Sequence, residues 1–261
     1  MDLQLGGRKA LVTGSTAGIG LAIARRLAAE GANVVITGRQ GAKLDAAAAE
    51  IAALGRVQAI GADASTAEGA ETLVREATEI DILINNLGIY EAKEFAAISD
   101  TDWHRLFEVN VVAGARLTRA YFPRMQARGW GRVVFVSSES GLVPPPDMIH
   151  YAVTKTAQMT IARGLAQLTK GTGVTVNTVM PGPTRSNGIG DFLRSVASDP
   201  NVSPEAMEAE FFRVHRPLSL IQRMIEPDEI ATMVAYLASP LAAATNGAAL
   251  RVEGGIVPTI A

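Results

Sequence analysis

The sequence contains no cysteine, which excludes a disulfide framework, thiol nucleophiles and thiolate-ligated metal. Histidine is scarce as well. The three present, His104, His150 and His215, show no metal-ligand spacing, so no metal site is expected. Charge of one sign is not in excess: the formal net charge is −2, and no basic run or stripe marks a nucleic-acid or anionic-membrane partner. No apolar run reaches the roughly 18 residues of a membrane span. The N-terminal MDLQLGGRKALVTG lacks the charged-then-apolar layout of a secretion signal. These absences lead to the expectation of a soluble, cytoplasmic protein. What remains is ample core material: 261 residues, 48% hydrophobic and 19% charged, enough for one large α/β domain and far from the composition of disorder.

Short β-branched runs alternate with longer helical patterns. The runs are KALVTG (9–14), ANVVITG (32–38), RVQAIGAD (56–63), DILINN (81–86), RVVFVSS (132–138), VTVNTVMP (174–181) and AALRVEGG (248–255). They are apolar almost throughout, as strands buried on both faces of a parallel sheet are. Between them, GIGLAIARRLAAEG carries apolar residues at Ile19, Ile23 and Leu27 and stops at Gly31. The long pattern from Thr101 to Gly129 contains Pro123, which is expected to kink or end that helix. A further long helix is predicted from Ala152, despite Gly164. The alternation predicts a doubly wound, seven-stranded parallel sheet with helices on both faces in a single domain. Residues 183–227 break the rhythm with prolines, glycines and short amphipathic pieces. They read as an insertion over the sheet edge, mobile and serving as a substrate lid.

The first predicted strand leads into TGSTAGIG (13–20). Glycines at a strand-to-helix turn let backbone N–H groups approach a phosphate, and the helix N-terminus adds positive potential. Gly14, Ser15, Thr16, Gly18, Ile19 and Gly20 are therefore candidate cofactor contacts. The spacing is GxxxGxG rather than GxGxxG, and three such glycines also serve turn geometry alone. The second strand ends ITGRQ: Gly38 stands where an NAD enzyme carries an acid, and Arg39 follows. An arginine pairs with a 2′-phosphate that a carboxylate would repel, so NADP(H) is favoured over NAD(H). A solvated arginine at a strand end is the plainer alternative, and Ala17 supplies no second basic group.

TGSTAGIG, NNLG (85–88), Ser138 thirteen residues before Tyr151, YAVTK (151–155) and the Pro181–Gly182 pair occur together and in order. On these the chain resembles the short-chain dehydrogenase/reductase family, of the single-domain type of about 250 residues, over nearly its whole length. The resemblance implies a Rossmann-like fold and hydride transfer between a nicotinamide and a ketone or secondary alcohol. It implies that Tyr151 exchanges the proton with the substrate oxygen, and that Ser138 holds that oxygen. Lys155, one turn along the same helix face, is expected to lower the phenol's pKa with its charge and to hold the nicotinamide ribose. Read without the family, an i,i+4 Tyr–Lys pair is an ordinary surface contact. The backbone carbonyl of Asn110 would hold a water that relays protons between lysine and solvent. Asp63 would bind the adenine amine, and Asn86 and Gly88 would line the cofactor. Pro181, Gly182 and, more loosely, Thr184 would face the nicotinamide end. Leu87 departs from the usual NNAG and adds bulk there.

The substrate is not legible, beyond a small-molecule carbonyl or alcohol. Leu142, Val143, Met148, Phe211 and Phe212 imply an apolar wall, or are simply core. Two competing readings are a 3-oxoacyl-carrier reductase, for which Arg213 and Arg216 would greet an acidic carrier, and a non-catalytic NADP(H) sensor. The sensor would be expected to have lost Tyr151 or Lys155, and both are present. By analogy with the family, a homotetramer or homodimer is expected.

Overall fold

The computed structural model describes residues 1–186 and 188–260. The chain runs β1 (Lys9–Val12), α1 (Gly18–Ala29), β2 (Asn33–Gly38), α2 (Ala42–Ala52), β3 (Val57–Gly61), α3 (Ala67–Glu76) and β4 (Ile82–Asn85). It continues through α4 (Asp100–Phe107), α5 (Ala113–Ala127), β5 (Trp130–Val136), α6 (Ile149–Gln167) and β6 (Gly173–Pro181). Then come α7 (Ile189–Val196), α8 (Pro204–His215), α9 (Pro227–Ala238) and β7 (Ala249–Val252). All seven strands pair in parallel, in the order β3-β2-β1-β4-β5-β6-β7.

The apolar runs are explained by two cores, one on each face. Ala10, Val12, Val34, Ile36, Ile82, Ile84, Val134 and Val136 pack with α1, α2 and α9. Their alternating neighbours Leu11, Val35, Leu83, Val133 and Phe135 pack with α3, α5 and α6. Because both faces are covered, the period-2 pattern disappears from the central strands; each fully buried aliphatic side chain there contributes roughly 1.5–3 kcal/mol. The edge strand β3 keeps exposed positions.

The strand order reverses between β1 and β4, and open α/β sheets place their crevice at the carboxyl ends of such strands. The loops that follow β1, β4, β5 and β6 all meet there.

The helix does not end at Pro123: α5 continues to Ala127. Pro123 faces solvent, while Tyr121, Phe122 and Met125 around it are buried. The Tyr121 hydroxyl also donates to Leu73 O and Ala77 O of the neighbouring segment, at 3.1 and 2.9 Å. The irregularity lies earlier, in a π-helical turn at Glu108–Val112 that joins α4 to α5.

The segment between β6 and α9 carries α7 and α8 and has its own small core of Leu193, Met207, Phe211, Phe212 and Met224. Arg185 ties its start to Glu208 and Glu226, at 3.2 and 2.8 Å. Among the described residues, no helix is long and apolar enough to cross a membrane.

Candidate active site

The turn after β1 is built around close backbone approach. A Cβ on Gly20 would fall onto the Gly14 carbonyl and the Asn86 amide, so only glycine fits there. Asn86 braces the turn: its Nδ2 donates to Thr13 O and Gly14 O, at 2.9 and 3.2 Å, and its backbone N–H donates to Thr13 Oγ1 at 3.0 Å. Gly14, Ile19, Gly20, Asn86 and Gly88 line the cleft, and Gly18 opens α1 with the first turn of N–H groups unpaired within the helix. Ser15 is placed differently. It is fully buried, and its hydroxyl donates to Val12 O at 2.8 Å and accepts from Thr37 N at 3.0 Å. Its side chain secures the turn to β2 rather than facing the cleft.

Thr16 sits over Gly38, where a Cβ would lie 2.5 Å from Thr16 Cγ2. An acid at position 38 would therefore displace Thr16. Arg39 is exposed just past β2, and its charge helps to lower the pKa of Asp63. The larger influence on Asp63 is Ser65, whose hydroxyl and backbone N–H donate to it at 2.6 and 3.0 Å. Asp63 thus shapes the turn after β3, at the same end of the sheet as Arg39.

The end of β5 delivers two serines with separate tasks. Ser137 Oγ donates to Lys155 O at 2.7 Å and is committed to packing. Ser138, at the predicted spacing, lines the cleft and hydrogen-bonds the buried carboxyl of Glu139 at 2.5 Å. Tyr151 and Lys155 rise from the first turns of α6 into the same cleft, with Lys155 Nζ 5.5 Å from the Tyr151 ring centre. Lys155 is buried and donates to Val136 O at 3.0 Å and Gln158 Oε1 at 3.3 Å.

Asn110 sits in the π-helical turn. Its side chain is satisfied on all sides: Oδ1 accepts from Ile89 N at 2.8 Å, and Nδ2 donates to Ile89 O at 2.9 Å and Thr154 Oγ1 at 3.0 Å. It pins the loop after β4 to α6. The backbone carbonyl of Asn110 accepts from Gln158 Nε2, at 2.6 Å.

The electrostatics differ from the sequence-based expectation. Burial and the charge of Glu139 push the Tyr151 phenol above its ordinary range, and hydrogen bonding with Ser138 only partly opposes them. Lys155 is not among the groups that shift it. Burial brings Lys155 itself down to about 8, with Glu139 pulling it back up. Burial likewise raises Glu139, against the opposing pull of Ser138, Arg216 and Ser140.

Pro181 and Gly182 end β6 against the cleft, and Thr184 lines it while its hydroxyl donates to Gly182 O at 2.7 Å. Of the predicted apolar wall, Met148 and Phe211 line the cleft; Leu142 is exposed and Phe212 belongs to the core of the 183–227 segment. Tyr90 and Phe192 complete the wall, in edge-to-face contact with each other, and Tyr90 also meets Tyr151 edge-on. Arg216 lies inside the cleft with its Nε 3.6 Å from Glu139 Oε1, not on an entrance patch with exposed Arg213. Glu139 and Gln158 were not singled out from sequence: a glutamate in SES and a glutamine in an alanine-rich helix both read as solvated. The cleft holds about 370 Å³, room for a small molecule beside a nicotinamide.

The sequence model of the short chain dehydrogenase family matches residues 8–194. The chain belongs to this family. It is 47% identical to an uncharacterized oxidoreductase, YvaG, of Bacillus subtilis, over the full length of both chains. Among solved structures, L-sorbose reductase from Gluconobacter frateurii in complex with NADPH and L-sorbose superposes with a TM-score of 0.92 at 30% identity, covering both chains completely. A 3-oxoacyl (acyl-carrier-protein) reductase from Agrobacterium tumefaciens with NADP bound gives 0.88 at 31% identity, over 97% of this chain and 96% of that one. The protein is accordingly an oxidoreductase of the short chain dehydrogenase family that works with a nicotinamide coenzyme.

This short chain dehydrogenase should carry a pH signature of its buried lysine. The ammonium is disfavoured in the folded state, so its cost is fully present below about 8 and fades as pH rises towards the unfolded value near 10.5. Lys155→Met is expected to gain thermal stability relative to wild type at pH 7, with the gap narrowing between pH 8 and 10.5. A gap independent of pH would show that the lysine is not held in this way.

Proposed function

We propose that the enzyme is an NADP(H)-dependent carbonyl reductase that interconverts a small ketone and its secondary alcohol. The observation that carries this is the convergence of Ser138, Tyr151 and Lys155 in one cleft, opposite a turn where Gly20 leaves no room for a side chain. When bound, the nicotinamide supplies or accepts the hydride. Gly14, Thr16, Gly18, Ile19 and Gly20 fit its pyrophosphate, and Ser15 holds their turn in place. Arg39 and Asp63 fit the adenosine end; Asn86, Gly88, Pro181, Gly182 and Thr184 border the path to the ring.

Ser138 and Tyr151 orient the substrate oxygen. The phenol is held in its protonated form, the form that proton donation to the oxygen during reduction requires. Lys155 contributes a positive group at the base of the cleft, and Asn110 fixes the loop and helix between which it lies. The preference for the phosphorylated coenzyme is supported by Arg39, by the occlusion of position 38 by Thr16, and by NADP(H)-bound relatives. The apolar wall together with Arg216 and Glu139 favours a substrate with one apolar flank and one polar end. Arg216 is engaged inside the cleft, which removes the support it lent to docking of an acidic carrier protein. A homotetramer or homodimer remains part of this reading, by family analogy.

Turnover of NADPH and NADH at 340 nm over a panel of ketones tests the proposal. Tyr151→Phe is expected to lower kcat by roughly 10²–10⁴-fold with NADPH affinity near wild type; wild-type turnover would defeat the assignment. Arg39→Asp should shift the NADPH-to-NADH preference by about 10- to 100-fold towards NADH, the worth of one charge-assisted pair. Unchanged selectivity would show that the 2′-phosphate is read elsewhere.

A further inference from the structure

Arg216 brings a charge into the cleft from outside the two main cores. It follows the last turn of α8 and lines the cleft beside Ser138 and Tyr151, with its side chain 15% exposed. Nη1 donates to the carbonyl of His215 at 2.8 Å. Cζ lies 5.5 Å from the centre of the Phe211 ring, a cation–π distance that anchors the group to the apolar wall. Nη2 makes no hydrogen bond among the described residues, and Nε makes only a 3.6 Å contact with Glu139 Oε1. Nε and Nη2 form one edge of the guanidinium, and such an edge takes a carboxylate through two parallel hydrogen bonds.

Glu139 does not fill that role. Its contact is longer than the roughly 2.7–2.9 Å of a charge-assisted hydrogen bond. Its other oxygen is engaged with Ser138 Oγ at 2.5 Å. Burial also raises the carboxyl towards its neutral form, which carries no charge to offset the guanidinium. An enclosed cation without a paired anion is costly, and a ligand carboxylate offsets that cost. Among the described residues lining the cleft, the other cation is Lys155, already engaged with Val136 O and Gln158 Oε1. Tyr90, Met148, Phe192 and Phe211 make the wall around Arg216 largely apolar. One guanidinium edge in such a wall suits a planar monoanion; a phosphate dianion calls for more donors. The carboxyl of Glu139 reaches Ser138 on one side and Arg216 on the other. A substrate oxygen at Ser138 therefore brings a group a few bonds along the chain to Arg216.

We propose that the substrate is a short-chain oxo acid, with its carboxylate on the Nε–Nη2 edge of Arg216 and its keto oxygen at Ser138 and Tyr151. This rests on the reading of the site as a carbonyl reductase. The carboxylate takes the place of the loose Nε contact and leaves Glu139 bonded to Ser138. The alkyl part of the acid packs on the aromatic wall. Arg216 binds the substrate and takes no part in hydride or proton transfer.

The test follows NADPH oxidation with pyruvate, acetoacetate and levulinate, each beside its methyl ester, and with acetonylphosphonate. In wild type, at least one acid is expected to exceed its ester in kcat/KM by about 10- to 100-fold, the worth of a charge-assisted pair, with the difference in KM. Arg216→Leu should abolish that acid-to-ester ratio. Arg216→Lys keeps a point charge without the fork, and an intermediate ratio is expected. NADPH binding reports that each variant is folded; if Arg216→Leu fails that check, Arg216→Gln is expected to show the same loss of ratio. A variant that merely seats the 183–227 segment badly would slow acid and ester alike and leave the ratio unmoved, which would overturn the proposal. Esters preferred throughout by the wild type, or the phosphonate preferred over every carboxylate, would overturn it as well and leave the reductase reading standing. No turnover of any ketone with NADPH or NADH would sink both.

Discussion

Burying a carboxyl, a phenol and an ammonium in one cleft is the constraint on which the rest of this structure depends. Each of Glu139, Tyr151 and Lys155 is pushed towards its neutral form by loss of water, and the charge of Glu139 raises both of the others. The outcome is a phenol that keeps its proton. A protonated phenol is the species that reduction calls on, where negative charge develops on the substrate oxygen beside it.

Holding three such groups in register requires rigid supports, and the fold supplies them from both cores. The end of β5 sets Ser138 and Glu139, and α6 sets Tyr151 and Lys155; Ser137 clamps the two elements together through Lys155 O. Asn110 locks the loop after β4 against α6, and Asn86 locks the same loop against the turn after β1. The coenzyme side and the proton side of the cleft therefore share one hydrogen-bonded frame. Arg216 is the exception: it arrives from the 183–227 segment, whose core is separate, so the charge facing Glu139 depends on how that segment sits.

Much of this was legible in the sequence. Strands buried on both faces write themselves as continuous apolar runs, while Ser138, Tyr151 and Lys155 stand out only through the family resemblance, since a tyrosine and a lysine one helical turn apart read alone as a surface pair. What was not legible depended on context beyond the local pattern. Pro123 reads as a helix breaker, yet packing of Tyr121, Phe122 and Met125 carries the helix past it. The π-helical turn at Asn110 has no local signature. Ser15 looks like a phosphate ligand in a glycine turn, but the neighbouring strand claims its hydroxyl. Glu139, Gln158 and Arg216 are charged or polar letters of the kind normally solvated, and only the fold shows that they are enclosed.

The ionisation of Tyr151 tests the central claim most directly. The phenolate absorbance near 295 nm, titrated in the free protein as the difference between wild type and Tyr151→Phe, isolates this residue from the other three tyrosines. The account predicts no phenolate from Tyr151 until well above the ordinary tyrosine value of about 10. A phenolate forming between pH 6 and 8 would contradict it, and would mean that the ammonium, not burial and the carboxyl, governs the site.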